Sequence, residues 1–501
     1  MFSYTMPKFK IKSKVKLIEL FAGVGSQSTS LKRLNIDYES HKICEWETNA
    51  IASYKAIHMP NDDIDYSDCL SKEQLVNALF KMGISSDGKK SMNYKSISKK
   101  PDKWLRNTYN NIRATHNLVD ITKVHASDLD ITETNEYCYI MTYSFPCQDL
   151  SKAGKQMGMK KGSGTRSSLL WEVERILCEL KESDSLPQIL LMENVPDVIG
   201  MKNIENFNQW YTKLETIGYQ SYYKILNAKD YGIPQNRERC FMVSILGNYS
   251  FDFPSKVPLQ LKLKDMLENE VDEKYFVANE KIEYMLNTKF HQSSYDVVVQ
   301  DGDVCATLCA RDYKDPKCIV VGKTNFGKND CVNRIYHTDG ISPTIDTMQG
   351  GNRQPKIADV NICAIHGKNP DNPKSRKSGL PTKQMIEINT SGCSNALTTV
   401  QKDNCVIYQL PRGKNKGGEK EVCPTITSNS FQQNNFIAAD IKYINNLKVR
   451  KLTPLECWRL MGFTDEDFCR AEKVNSNNQL YKQAGNSIVV NVLEEIFKTL
   501  F

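Results

Sequence analysis

Cys147 is the residue whose setting most suggests chemistry. It lies in Tyr143-Ser144-Phe145-Pro146-Cys147-Gln148-Asp149-Leu150-Ser151, directly after an apolar run from Tyr137 to Met141. Such a run, closed by a sharp turn, predicts a buried strand. Pro146 fixes φ just ahead of the cysteine and holds the thiol in a defined place. Polar sequence containing Gly154, Gly158, Gly162 and Gly164 follows. A strand that delivers a cysteine to a glycine-rich loop can present a nucleophile. The competing expectation is structural, because the chain holds 16 cysteines and most must be small core residues.

Two other places put charge where a reaction could use it. Pro187 to Met192 reads as a buried strand, and it ends in Glu193-Asn194-Val195-Pro196. A carboxylate there is expensive to bury unless it has a task or a partner. Gly232 to Arg239 is a charged turn leading into the strand Cys240 to Leu246. Arg237 and Arg239 sit two apart on an extended segment, so they point the same way. They can hold an anion or pair with nearby acids.

The elements that must position these groups alternate between strand and helix. Lys16 to Phe21 predicts a first strand, Ala22-Gly23-Val24-Gly25-Ser26 a turn, and Ser28 to Leu34 a helix. This is the opening unit of a doubly wound α/β domain, whose ligand lies at the carboxyl end of the strand. Glycines let the backbone approach that ligand, or simply make the tight turn. Ser40 to Cys44 is the next strand, and it ends in Glu45-Trp46. An acid about 20 positions after the glycine turn suits ribose hydroxyls, and Trp46 can stack on an adenine face or pack in the core. The turn has no lysine for phosphates, so a nucleoside ligand fits better than a dinucleotide. A short third strand is expected near Val124, ending at Ser127-Asp128, with Cys147 after a fourth. Helices are expected over 72–81, 104–118, 165–180 and 204–217, with a strand over 222–227. The stretch 61–120 is an insertion, and its basic loop from Ser85 to Lys103 is either a solvated surface or a DNA contact.

The texture changes after Phe251. Residues 261–445 are rich in Gly, Asn, Thr and Lys and carry a degenerate repeat. Cys305 to Leu308, Ser342 to Ile345, Asn395 to Thr398 and Cys423 to Ile426 each lead, after a polar turn, to an apolar pair. The pairs are Ile319-Val320, Ile357-Ala358, Val406-Ile407 and Phe436-Ile437. Strand-turn-strand units in an irregular β-rich domain are expected; their spacing varies too much for a solenoid. From Arg450 the α/β character returns. Thr453, Pro454 and Glu456 predict a capped helix start, Gly462 ends it, and Tyr481 to Ser487 leads into a helix from Ile488 to Phe501.

Composition sets the outer bounds. At 501 residues, 40% hydrophobic and 25% charged, the chain is of ordinary globular type with room for two or three domains. No apolar run approaches the roughly 20 residues that span a bilayer, and no signal peptide is expected, so the protein is read as cytoplasmic. The cysteines form no CxxC pair and the seven histidines do not cluster with them. Neither a metal site nor a disulfide framework is expected. A net charge of +7 is compatible with a nucleic-acid partner.

Taken in order, the motifs resemble those of DNA (cytosine-5)-methyltransferases of bacterial or phage type. They are Phe21-Ala22-Gly23-Val24-Gly25, Glu45-Trp46, Asp128, Phe145-Pro146-Cys147-Gln148, Glu193-Asn194-Val195, Gln235 to Arg239, Arg450 to Phe463, and Gln483-Ala484-Gly485-Asn486-Ser487. The resemblance covers about 16–246 and 450–501. It implies a Rossmann-like catalytic domain over 1–260, a smaller β-rich target-recognition domain over 261–445, and a return to the catalytic domain over 446–501. It implies Cys147 as nucleophile, Glu193 on the N3 and amino edge of cytosine, Arg239 on O2 and Arg237 in support. The methyl donor is S-adenosyl-L-methionine. Its pocket is expected at Phe21, Ala22, Gly23, Gly25, Glu45, Trp46, Asp128, Leu129, Pro146, Asn486 and Ser487. Duplex DNA is the expected partner, contacted through Gln148, Ser151, Arg311, Arg353, Gln354 and Gln432. The enzyme is expected to act as a monomer, with or without a separate restriction endonuclease. The alternatives are an RNA (tRNA) cytosine-5 methyltransferase of the same fold and a catalytically silent DNA-binding paralogue. The long segment 261–445 argues against the first, and the intact Cys147, Glu193 and Arg239 argue against the second.

Overall fold

The computed structural model describes residues 6–147, 149–150, 157–275 and 452–501, together with the short strands between 320 and 451 named below. The chain divides into two units. One is Met1–Glu268 with Ile341–Gly351 and Thr453–Phe501, and the other is Asn269–Gly340 with Asn352–Leu452.

The first unit is built on six strands: β1 (Lys14–Leu20), β2 (Tyr38–Cys44), β3 (Tyr137–Tyr143), β4 (Ile189–Asn194), β5 (Tyr219–Asn227) and β6 (Glu238–Leu246). Their spatial order is β2-β1-β3-β4-β6-β5. β1, β2, β3 and β4 run parallel, and β6 lies antiparallel to both β4 and β5. The chain leaves β1 for one side, to β2, and returns to the other side, to β3. The carboxyl ends of β1 and β3 therefore flank a switch point, where open α/β sheets bind ligands.

Side chains alternate across the sheet with period two. Ile18 and Leu20, Tyr139, Met141 and Tyr143, and Leu190 and Met192 share one buried cluster with α6 (Leu170–Glu182) and α7 (Ile204–Ile217). On the other face lie α1 (Ser26–Arg33), α2 (Thr48–His58) and the C-terminal helices. These are α8 (Pro454–Arg459), α9 (Asp465–Glu472), α10 (Asn477–Asn486) and α11 (Val490–Lys498). The capping box that begins α8 forms as expected: Glu456 N–H donates to Thr453 Oγ1 at 3.2 Å, and Thr453 N–H donates to Glu456 at 2.8 Å.

Three differences from the sequence reading matter. No strand forms near Val124. Asp120 accepts from Thr122 N–H at 3.1 Å and starts a 3₁₀ turn, Ile121–Lys123, and a second turn spans Ala126–Leu129. Cys147 thus follows the third strand, not a fourth. Second, the segment containing Gly485 and Asn486 is helical. Third, the insertion holds, besides the two helices expected over 72–81 and 104–118, a short helix within the expected loop Ser85–Lys103. It folds as α3 (Lys72–Met82), α4 (Tyr94–Ser98) and α5 (Asp102–Ala114) around a small core of Leu75, Leu79, Ile97, Leu105 and Ile112, shared with Ile51 of α2.

In the second unit the described strands form three groups. β7 (Val320–Lys323), β8 (Arg334–His337), β9 (Lys356–Ala358) and β15 (Val449–Lys451) form a sheet in the order β15-β9-β8-β7. β10 (Ile362–Lys368) pairs antiparallel with β11 (Lys383–Asn389), and β12 (Val406–Gln409) lies between β13 (Gly418–Lys420) and β14 (Asn435–Ala438). Val320, Ile357-Ala358, Val406-Ile407 and Phe436-Ile437 all fall in strands. The Thr-centred halves of the expected repeat lie outside the described residues.

Candidate active site

Strand register brings the sequence-distant groups together. Leu20 of β1 pairs with Tyr143 of β3, and Tyr143 pairs with Met192 of β4. The glycine turn, the Pro146-Cys147 turn and Glu193 therefore leave three adjacent strand ends. Because β6 is antiparallel to β4, its start lies beside the end of β4: Asn194 pairs with Cys240 and Glu193 with Phe241. That places Arg239 against Glu193, with Nε 3.1 Å from Oε1 in a largely buried ion pair.

The cysteine turn is held from several sides. Asn194 donates to Phe145 O at 2.9 Å, Ser167 Oγ donates to Pro146 O at 2.5 Å, and Leu150 N–H donates to Cys147 O at 3.0 Å. Such bonds hold the thiol in one place. Burial pushes the Cys147 thiol above its ordinary range; Arg239 pulls it down, Glu193 pushes it up, and Arg237 pulls it down. Glu193 is also raised by burial, against the pull of Arg239 and Arg237. The two acids share the same guanidinium field, so a proton on Glu193 removes the negative neighbour that opposes the thiolate.

The two arginines do not do the same thing. Arg239 opens β6 and faces Glu193. Arg237 lies two residues earlier, is 3% exposed, and donates to Gly485 O at 3.0 Å and Ser487 O at 2.8 Å. Its buried guanidinium joins the end of α10 to the strand that carries Arg239. Gln235 makes a parallel tie, donating to Leu460 O at 2.7 Å.

The glycine turn is built for close approach. Phe21, Gly23 and Gly25 have φ of 60°, 58° and 84°. A bulky residue in the left-handed region is a strained choice, and such strain collects at functional sites. A Cβ on Gly25 would overlap the His58 ring, whereas one on Gly23 would meet nothing within 4 Å. Gly25 is thus fixed by packing, and Gly23 faces open space. Below the turn, Glu19 is fully buried and accepts from Ser28 Oγ at 2.7 Å and Tyr54 Oη at 2.5 Å; burial raises its pKa. The Glu45 carboxylate accepts from Gly23 N–H at 3.0 Å and Glu47 N–H at 2.8 Å. Burial nonetheless pushes it up to about 7. Trp46 is half-buried against the insertion core. Half-exposed Glu45, Trp46 and Phe21 around an open glycine suit a nucleoside with free ribose hydroxyls.

Asp128 and Leu129 do not join this group. Asp128 is exposed and accepts from His125 N–H at 2.8 Å at the end of its own turn. Leu129 is a core residue whose carbonyl faces His41, midway along β2. The acid set at the end of β2 is Asp120. Cys44 Sγ contacts Val119 O at 3.4 Å, and the Asp120 charge helps raise the Cys44 thiol. Asn117 fixes this arrangement, accepting from Glu45 N–H at 3.0 Å and donating to Glu45 O at 2.9 Å. The missed signal was Asp120-Ile121-Thr122, an Asx turn directly after Leu118-Val119.

Ser487 is buried, with Oγ donating to Gln483 O at 2.7 Å, while Asn486 is exposed at the end of α10. Ala22 is buried beside Ile43 and Tyr54. Gln148, Ser151, Arg311, Arg353, Gln354 and Gln432 lie outside the described residues. Among the described residues no cluster could hold a metal ion, and no helix is long and apolar enough to cross a membrane.

A family model described as C-5 cytosine-specific DNA methylase matches residues 80–501. The type II methyltransferase M2.ScrFI of Lactococcus lactis subsp. cremoris is 31% identical over 97% of this chain and 99% of its own length. The orphan methyltransferase M.SssI of Spiroplasma monobiae is 34% identical, covering 71% of this chain and 85% of its own. The type II methyltransferase M.HhaI of Haemophilus parahaemolyticus is 27% identical over 73% and 78%. With the family model spanning most of its length and a full-length relative beside it, this chain belongs to the C-5 cytosine-specific DNA methylase family.

Proposed function

We propose that the protein methylates C5 of a flipped-out cytosine within a specific duplex DNA sequence, with Cys147 as the covalent nucleophile. One observation carries the reading. Cys147 and Glu193, at the carboxyl ends of adjacent strands, converge with Arg239, at the start of antiparallel β6, beside the glycine turn.

C5 of cytosine is a poor nucleophile. The Cys147 thiolate adds to C6, and the electron pair moves toward N3 and C5. Glu193, whose burial favours the protonated form, hydrogen-bonds the N3 and amino edge and supplies a proton as charge develops there. Arg239, already against Glu193, binds O2, and both groups stabilise charge that exists only after sulfur has added. Arg237 holds Arg239's strand in register with α10 and adds its charge to the thiolate. S-adenosyl-L-methionine supplies the methyl group that C5 accepts. Loss of the C5 proton then lets the C6–S bond break and returns the thiolate. Burial puts the Cys147 thiol on the protonated side at rest, so the nucleophile forms as the base and its hydrogen bonds arrive.

The donor pocket is assigned to Phe21, Gly23, Glu45 and Trp46, with Glu45 on the ribose hydroxyls. Asp120 takes the place beside the adenine amino group that the sequence reading gave to Asp128. A base inside a duplex is out of reach of this turn, so it must rotate out. Residues 261–445 are assigned to target recognition. Arg311, Arg353, Gln354 and Gln432 are of the types that read G and A edges in the major groove.

Labelled donor tests this on duplex DNA and on tRNA, with the DNA alone becoming methylated. A duplex containing 5-fluorocytosine should trap the native enzyme covalently, because fluorine at C5 cannot leave as the proton does. Cys147→Ala should bind DNA, form no adduct, and lose methylation by about 10⁴-fold or more. Near-native turnover by Cys147→Ala overturns the assignment.

A further inference from the structure

The insertion ends, in space, next to the proposed donor pocket. Its buried Ser85 pairs directly with the segment that follows Glu45: Ser85 N–H donates to Trp46 O at 2.7 Å, and Thr48 N–H donates to Ser85 O at 2.8 Å. The turn from Ser85 to Lys90 closes on itself. Gly88 N–H donates to Ser85 Oγ at 3.0 Å, and Ser85 Oγ donates to Lys90 O at 2.7 Å. Over this turn reaches Lys482 of α10, only 6% exposed. Its ammonium donates to Asp87 O at 2.9 Å and pairs with Glu47 at 3.3 Å, itself 5% exposed. Next along α10, Gln483 is tied to α2, accepting from Ser53 Oγ at 2.9 Å and donating to Asn49 O at 3.1 Å.

A buried lysine is costly unless its charge is used. Here two carboxylates, Glu45 and Glu47, lie two residues apart at the end of β2; Lys482 pairs with Glu47, whose N–H donates to Glu45 Oε1 at 2.8 Å. The Asp87 carboxylate is turned into its own loop, accepting from Lys89 N–H at 2.8 Å. Asp120 is the next acid, beside Cys44.

We infer that Lys482 and the Ser85–Lys90 turn form a clamp on Glu47 that positions Glu45 and sets a positive charge near it for the methyl donor, so that the insertion serves the cofactor site. Lys482 is a positioning residue, acting through Glu45. The inference rests on the assignment of Glu45 to the donor pocket. It has a pH signature. Lys482 favours the ionised form of Glu45 and Glu47 opposes it. Without the ammonium, Glu45 takes up its proton at higher pH, and donor binding is lost near neutrality but recovers in alkali.

The test is calorimetric titration of S-adenosyl-L-methionine into the full-length protein across about pH 6.5 to 9. Lys482→Met should raise the donor Kd by about tenfold near pH 7, with the deficit shrinking as pH rises. Lys482→Arg, which keeps the charge, should recover most of the affinity. Gly88→Ala places a methyl 3.3 Å from the Lys482 ammonium at a φ of +69°, and should weaken donor binding from the insertion side. Circular dichroism checks folding, and duplex DNA affinity should hold for all three. An equal deficit for Lys482→Met at every pH makes the contact merely structural and overturns the inference. So does a loss of DNA affinity with donor affinity intact. Glu45→Gln separates the two levels. If it binds donor normally, the pocket assignment fails; if it loses donor and Lys482→Met does not, the clamp alone fails.

Discussion

Replacing Arg239 by methionine keeps much of the side chain's length and removes its charge. The guanidinium Nε sits 3.1 Å from Glu193 Oε1, and it is the first cation to act on both Glu193 and Cys147. Its loss leaves a buried carboxylate unpaired, which ordinarily costs about 3–5 kcal/mol. Glu193 can escape by taking up a proton. From an ordinary glutamate pKa of about 4.3, that costs about 3.7 kcal/mol at pH 7, at 1.36 kcal/mol per unit. Protonation therefore caps the destabilisation at just under 4 kcal/mol. The sign with pH follows. The folded protein would hold a proton that the unfolded chain has released, so stability falls as pH rises above the unfolded value. The deficit should be largest near neutrality and shrink to about 1 kcal/mol near pH 5. Glu193→Gln combined with Arg239→Met should recover stability at neutral pH, because the charge that needed a partner is gone. Catalysis should not recover. Losing one preorganised charge donor lowers turnover by about 10²–10³-fold, and the Cys147 thiol should alkylate only at higher pH than in the native protein. Urea unfolding near pH 5 and pH 7.5, single-turnover methylation and the pH profile of alkylation measure these three effects. A pH-independent stability loss, or turnover within about threefold of native, refutes the electrostatic reasoning.

Other outcomes follow from the same geometry. Glu45 titrates at about 7 and must be ionised to accept from ribose hydroxyls, so the donor Kd should fall as pH rises through that value; a flat profile across it removes Glu45 from the ribose. Asp120→Asn should weaken donor binding by about 1 kcal/mol or more, as loss of one hydrogen bond to a charged group does, while Asp128→Asn should bind normally; the reverse ranking restores the sequence-based assignment. Exchanging residues 261–445 for the corresponding segment of a relative of known specificity should move methylation to that relative's site, read by sequencing methylated plasmid. An active chimera that keeps the original site places recognition elsewhere.

Much of this protein is legible in one dimension because its candidate site sits where local signals are strong. An apolar run ending in a reactive or charged residue marks a strand and its functional end at once. That rule located Cys147, Glu193 and Glu45. Thr453, Pro454 and Glu456 gave the start of α8 for the same reason, since a capping box is complete within four residues. The helix Ile204–Ile217 was visible through its periodicity alone.

What tertiary structure decided are the relations between elements. Arg237 and Arg239 look equivalent along the chain, two apart on an extended segment. The antiparallel placement of β6 gives Arg239 to Glu193, while the end of α10, far away in sequence, gives Arg237 its carbonyl partners. Along the chain Asp128 is the acid matched to the polar end of β2. In the fold Asn117 bonds both sides of the Glu45 peptide, Asp120 comes to lie beside Cys44, and Asp128 sits on an exposed turn. Within the insertion, Ser85–Lys103 reads as a basic surface loop because its lysines are visible and the core behind it is not. Only packing shows that Ser85 pairs beside Trp46 and that Lys482, one of many lysines, is buried. Spacing predicts which residues share an element. Which charges face one another depends on strand order and direction, because two charges a few ångströms apart can come from any two places in the chain.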